Sequence, residues 1–117
     1  MTERIIGAAI EVHRHLGPGL LESVYEEALC IEMELQSVPY ERQRQVDVIY
    51  KGHIVKGQRL DMLVDGKVVV ELKAQSELPH SVDAQVLSYL HATGLKQALI
   101  INFGRPRLID GIKRFVL

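Results

Sequence analysis

The sequence predicts an α/β (α+β) sandwich, with helices packed on a mixed β-sheet. Three observations carry that expectation. Two stretches with apolar residues at helical spacing open the chain, over residues 2–16 and about 20–37. Three strand-like runs follow between residues 45 and 73. A third helical segment then leads to the apolar run 97–103, and a strand reached through a helix lies parallel to its neighbour.

Thr2 is the expected cap of the first helix, whose inward residues are Ile5, Ile6, Ala9, Ile10 and His13; Gly17-Pro18-Gly19 stops it. In the second helix Leu21, Val24, Ala28, Ile31 and Leu35 form the expected apolar stripe, and Pro39 closes it. Residues 45–50 alternate like a strand, and Lys51-Gly52-His53 turns the chain back. Ser81 is the expected cap of the third helix, which Gly94 ends near Thr93. The tail 111–117 alternates apolar and polar residues, as an edge strand does. At 117 residues this is one domain, 1–117.

Chemistry concentrates in Arg59-Leu60-Asp61-Met62-Leu63-Val64-Asp65-Gly66-Lys67-Val68-Val69-Val70-Glu71-Leu72-Lys73. On a strand Glu71 and Lys73 share a face and Leu72 takes the other. Two loops compete. A two-residue Asp65-Gly66 turn sets Asp61 opposite Val70 and scatters polar groups over both faces. A three-residue loop, Val64-Asp65-Gly66 with Gly66 left-handed, shifts the register by one. Leu60, Met62, Val68, Val70 and Leu72 then share one face, and Arg59, Asp61, Leu63, Val69, Glu71 and Lys73 the other. Burial selects the second register, because a one-residue slip moves every side chain. Asp61 and Glu71 become diagonal neighbours, near enough to share a hard cation such as Mg²⁺, with Lys73 available to a phosphoryl group.

Composition bounds the alternatives. A 47% hydrophobic, 25% charged chain is ordinary for a globular domain. The net charge of −1 gives no general attraction for nucleic acid, so any phosphate site must be local. The single cysteine, Cys30, excludes an internal disulfide, suits a reducing cytoplasm and reads as helix packing. No stretch approaches a membrane span, and the first residues lead into an amphipathic segment and not a cleavable signal. The five histidines lack zinc spacing, and no phosphate loop or nucleophile elbow occurs.

Three other groups bear on function. Glu22 stands in the first turn of the second helix, with Tyr25 three residues on; it reads either as a charge complementing the helix dipole or as a third acid for the ion. Gln85 and Tyr89 share a face of the third helix and can contact phosphate or a water. Arg105, Arg107, Lys113 and Arg114 read as solubilising charge or as a basic rim.

Gly19-x-x-Glu22-x-x-Tyr25, taken in order with Asp61, Glu71 and Lys73, resembles the GxxExxY proteins of the PD-(D/E)XK nuclease-like superfamily. The likeness runs from Ile5 to Arg114. It implies a nuclease-like core: helix, antiparallel three-strand meander, helix and a further strand. It also implies a nuclease dependent on Mg²⁺ or Mn²⁺ acting on nucleic acid, DNA ahead of RNA. Asp61 and Glu71 resemble the metal-binding acids, Lys73 the lysine of the acid-x-Lys motif, and Glu22 the helix acid that joins the metal. Gln85 and Tyr89 resemble the glutamine–tyrosine pair of the exonuclease-like branch. Arg59-Leu60 precedes the aspartate where the motif has proline. A homodimer would suit a duplex substrate. The alternative is a non-catalytic nucleic-acid or protein-binding module on the same fold.

Overall fold

Helices α1 (Thr2–Leu16) and α2 (Glu22–Leu35) precede strands β1 (Tyr40–Tyr50), β2 (His53–Val64) and β3 (Val68–Lys73). Helix α3 (Ser81–Thr93), β4 (Gln97–Asn102), a 3₁₀ turn (Leu108–Gly111) and β5 (Ile112–Val116) follow. The computed structural model describes all of residues 1–117. The strands form one sheet in the order β1-β2-β3-β4-β5. Neighbours are antiparallel except β3 and β4, which run parallel with Val68 beside Gln97 and Lys73 beside Asn102. The meander, the crossover helix and the edge strand are therefore all present. No helix is long and apolar enough to cross a membrane.

The sheet is covered on both faces. Ile5, Ala9 and Val12 of α1 and Tyr25, Leu29 and Met33 of α2 pack against Met62, Val68, Val70, Leu72, Leu99 and Ile101. On the opposite face Val82, Val86 and Leu90 of α3 cover Leu63, Val69, Ala98 and Ile100. β3 is thus buried on both sides, which is why it reads as a continuous apolar run.

Several local expectations need correction. Met1, not Thr2, occupies the cap of α1, and the Thr2 hydroxyl turns to Glu3. His80 precedes α3, which leaves Ser81 as its first helical residue. β1 begins at Tyr40, five residues earlier than the alternation indicates. The expected stripe of α2 faces solvent: Leu21 and Leu35 are each 74% exposed, and Ile31 is 53% exposed. Tyr25, Leu29, Cys30 and Met33 point inward instead. Both faces of this helix are apolar, so periodicity could not choose between them. A tertiary contact does: the Tyr25 ring stacks on Phe103 with centroids 4.5 Å apart.

The β2–β3 hairpin merges the two expected loops. Asp65 and Gly66 both have positive φ, 54° and 63°, as a two-residue hairpin turn requires. Lys67 is the extra residue, so Val64 faces Val68 and Met62 faces Val70. The loop is Asp65-Gly66-Lys67 and not Val64-Asp65-Gly66, and its odd length keeps the expected parity for Met62, Val68, Val70 and Leu72. Leu60 departs from that face and joins Leu63 and Val69 beneath α3. The pleat breaks one residue later: opposite Asp61, Gln43 of β1 has φ 51° and is skipped in the β1–β2 ladder.

The two faces of α2 make opposite predictions under substitution. Ile31→Lys should change stability by less than about 0.5 kcal/mol, since it is an exposed helix position. Leu29→Ala should cost about 2–5 kcal/mol through lost burial and a cavity. Urea melts of both variants check this, and the reverse ranking would mean that α2 packs through its other stripe.

Candidate active site

The β2–β3 ladder ends at Met62 and Val70, although β2 continues for nine further residues toward its start. One step along the same register sets Asp61 across from Glu71, directly opposite and not diagonal as expected. There the backbone pairing is replaced by a side chain: Asp61 Oδ2 accepts the Leu72 N–H at 2.8 Å. Leu72 is fully buried against the α1–α2 side. Its anchored backbone fixes Glu71 and Lys73 on the other side of the pleat.

Glu71 is 4% exposed, and its Oε2 has no hydrogen-bond partner. Its Oε1 lies 3.8 Å from Lys73 Nζ, which is itself largely buried. Burial first, then the hydrogen bond and charge of Asp61, push the Glu71 carboxyl far above the usual carboxylate range; Lys73 opposes this. Glu22 opens α2, where its carboxyl is raised by burial and then by the charge of Asp61, with Lys73 again opposing. A solvated acid at a helix N-terminus would be lowered. Burial outweighs the helix dipole at Glu22, and the charge of Asp61 reaches it.

The Gly19-x-x-Glu22-x-x-Tyr25 pattern now has a physical basis. Gly19 has φ 102°, which disfavours a side chain. The fully buried Tyr25 hydroxyl donates to the Gly17 carbonyl and accepts the Leu20 N–H at 3.2 Å. It thus ties down the loop that delivers Glu22.

Can these residues suit a divalent cation? Glu71 lies beside Lys73, Glu22 and Glu71 both feel the charge of Asp61, and one buried oxygen of Glu71 has no partner. That is a hard-oxygen donor set short of positive charge, so it fits Mg²⁺ or Mn²⁺. No three acidic, histidine or cysteine side chains are already closed around one point. Asp61 and Glu71 are the close pair, and Glu22 acts on them through its charge.

Gln85 and Tyr89 meet as expected, Gln85 Nε2 donating to the Tyr89 hydroxyl at 2.8 Å. The phenol is raised by burial and by the charges of Glu71 and Asp61, while its bond to Gln85 opposes them. Sequence reasoning missed their third member. The Tyr89 hydroxyl donates to Gln58 Oε1 at 2.8 Å, and Gln85 Nε2 donates to the same oxygen. Gln58 reaches α3 because β2 carries a bulge: Gln45 pairs with Arg59 but Asp47 pairs with Lys56. Gly57 permits the bulge, since a Cβ there would lie 2.3 Å from the Val46 carbonyl oxygen. A glycine inside an alternating strand was the available signal.

Asn102, beside Lys73 in the parallel register, was also missed. Its side chain accepts the Gln75 and Gly104 N–H groups and donates to the Gln75 carbonyl at 2.7 Å. This stitches down the chain that leaves Lys73. Of the C-terminal cations, Lys113 pairs with Asp83 and Arg114 with Glu3, so these two are committed to surface ion pairs. His13 is buried, with a ring nitrogen 2.9 Å from the Arg105 carbonyl oxygen, and bears no relation to the acids.

Residues 1–115 match the sequence model of a family in the PD-(D/E)XK nuclease superfamily. The chain belongs to this superfamily. No curated protein and no solved structure matched. The five-stranded mixed sheet with three helices agrees with a PD-(D/E)XK nuclease-like fold, and nucleases of this superfamily generally use divalent metals and act on nucleic acid.

The strain at Glu71 has a definite sign in pH. Its carboxyl is raised above its value in the unfolded chain, so the folded state prefers the proton. That contribution is complete below the ordinary carboxylate pKa and is lost as pH rises. Glu71→Gln should therefore stabilise the metal-free protein by about 1–3 kcal/mol near pH 8 and by little near pH 5, the scale of one buried unsatisfied group. Urea melts in EDTA at the two pH values test this; an equal effect at both would show that Glu71 is not strained.

Proposed function

We propose that this chain is a Mg²⁺- or Mn²⁺-dependent phosphodiesterase acting on nucleic acid, DNA ahead of RNA, in the cytoplasm. One observation carries the reading: Asp61 and Glu71 face each other where the hairpin ladder stops, with Glu71 Oε2 buried and without a partner beside a single lysine. The superfamily supports the reaction class.

Asp61 and Glu71 would hold the ion, and Glu22 would complete its surroundings from α2. Bound there, a divalent ion supplies Lewis-acid polarisation of a phosphoryl oxygen and acidifies its water. Lys73 Nζ stabilises the negative charge that develops on the phosphoryl group, an effect strengthened by its burial. Asp61 has two duties, because its Oδ2 also holds the Leu72 N–H that orients Glu71 and Lys73. Gln85 and Tyr89 position the substrate strand beside the acids.

Two readouts test the proposal together. Mg²⁺ or Mn²⁺ at about 100 times its Kd should raise the stability of the parent by about 2.7 kcal/mol through mass action. Asp61→Asn, which keeps an acceptor for the Leu72 N–H, should abolish both that gain and metal-stimulated cleavage of single-stranded and duplex substrates while its circular dichroism stays unchanged, and Asp61→Ala should lose both and some stability besides. Lys73→Ala should lose cleavage and keep the metal-dependent gain. A parent that binds nucleic acid with no stabilisation by either ion is a non-catalytic module on the nuclease fold. Undiminished cleavage by Asp61→Asn or Asp61→Ala would remove the proposed site altogether.

A further inference from the structure

A cleft of about 540 Å³ runs between the β1–β2 ribbon and α3, beginning at the Gln58–Gln85–Tyr89 cluster. Val46 and Val48 form its strand wall, and small residues such as Ala84 form its helix wall. None of the residues that line it carries a charge. Its volume exceeds what a single flat heterocycle needs, yet it offers nothing to neutralise a phosphate. A sugar-phosphate backbone would lose hydration here without compensation.

The polar groups at its end are unevenly used. Gln58 Oε1 accepts from both Gln85 Nε2 and the Tyr89 hydroxyl. Gln85 Nε2 also donates to that hydroxyl. The Gln58 Nε2 donors and the Gln85 Oε1 acceptor have no partner within the chain. An amide donor beside an amide acceptor is the pattern that pairs with the edge of a nucleobase. The internal bonds of the cluster fix which atoms remain free, so this face is pre-organised. It also stands close to the acids along β2, the Tyr89 hydroxyl lying 3.4 Å from the carbonyl oxygen of Arg59, two residues before Asp61.

We propose that this cleft binds one unpaired nucleobase of the substrate strand, its faces against Val46, Val48 and Ala84 and its edge against Gln58 and Gln85. This rests on the nucleic-acid reading above and narrows it to single-stranded or locally unpaired substrate, since stacked neighbours cover both faces of a paired base and only an unstacked one can enter between Val46, Val48 and Ala84. With a net charge of −1 and an uncharged lining, contact with the base itself is the interaction this cleft can offer a strand.

The probe is a labelled single-stranded DNA of about ten nucleotides, within the usual site size, bound in EDTA and followed by anisotropy. An abasic residue is moved through it one position at a time. The intact parent protein should bind about tenfold more weakly when one particular position is abasic, the scale of the apolar surface one base buries against Val46, Val48 and Ala84. Ala84→Leu, which fills the cleft at an exposed helix position, should lose about tenfold on the intact strand and become insensitive to the abasic site. Gln58→Ala, likewise at an exposed position, should keep the stacking and lose any preference among the four bases at that position. Equal binding of every abasic strand, parent-like binding by Ala84→Leu, duplex bound as tightly as single strand, or no binding would each overturn the proposal. Adding Mg²⁺ or Mn²⁺ to the same mixtures separates it from the nuclease reading. Cleavage with a flat abasic scan sinks the base site alone; a position-dependent scan without cleavage sinks the nuclease alone.

Discussion

A single carboxylate–amide bond, from the Leu72 N–H to Asp61 Oδ2, governs the geometry of this molecule's chemical end. β2 and β3 pair through their backbones only from Val64–Val68 to Met62–Val70. Beyond that point the strands would be free to part, and Asp61 holds them instead. Such a bond to an ionised acceptor is stronger than the neutral ladder bond that it replaces. Leu72 is pinned from two directions, by this bond and by its side chain in the α1–α2 core. Glu71 and Lys73 flank it and inherit its position. A site built on adjacent strand residues in this way needs no mobile loop to assemble.

The surroundings show where the energy for this arrangement resides. Opposite Asp61, Gln43 adopts φ 51°, a conformation that costs about 1–3 kcal/mol for a residue with a side chain unless other contacts impose it. Glu26 imposes it, accepting from Gln43 Nε2 at 2.9 Å and from Arg42 Nη2 at 2.7 Å. Glu71 adds a second cost, a buried oxygen without a partner. Both costs fall within one strand's width of Asp61, and the two apolar layers sandwiching β3 offset them. Burying β3 on both sides is what holds Glu71 almost wholly out of solvent across from the half-buried Asp61.

How much of this was legible in the sequence follows the range of each interaction. The parity of Met62, Val70 and Leu72 against Glu71 and Lys73 is a property of one strand, and period two revealed it. Loop composition gave the positive φ at Gly66 but not the place of the extra residue, because Asp65 supplied a second left-handed position and passed the bulge to Lys67. The inward face of α2 was unreadable for a longer-range reason. Leu21, Val24, Ile31 and Leu35 are as apolar as Tyr25, Leu29 and Met33, and Phe103, almost eighty positions away, decides between them. Gln58 was hidden because an unpaired strand residue carries no periodic signal, and only Gly57 beside it marks the bulge. The acids and lysine were visible as residue types; that Glu22 responds to Asp61 required the packing of α2 on the sheet.

The Gly57 bulge and the Asp61 break both interrupt the regular course of β2. Toward its end it carries Asp61 to face Glu71, and four residues earlier its bulge turns Gln58 toward α3. A regular strand would hold those two side chains to the strict alternation of the pleat and to the β1–β2 ladder. Two interruptions relax that constraint, and they lie on either side of Leu60, which is fully buried beneath α3 and anchors the segment between them. The acidic and neutral surfaces can then adjoin without sharing a residue. The charge near Asp61 stays concentrated where an ion would be held, and the uncharged cleft stays free of groups that would compete for it. Filling the bulge by giving position 57 a side chain would force β2 away from the Val46 carbonyl. The displacement would reach Gln58 first and Asp61 only through Leu60, so the bonds of Gln58 to Gln85 and Tyr89 should be lost before the Asp61–Glu71 pair is disturbed.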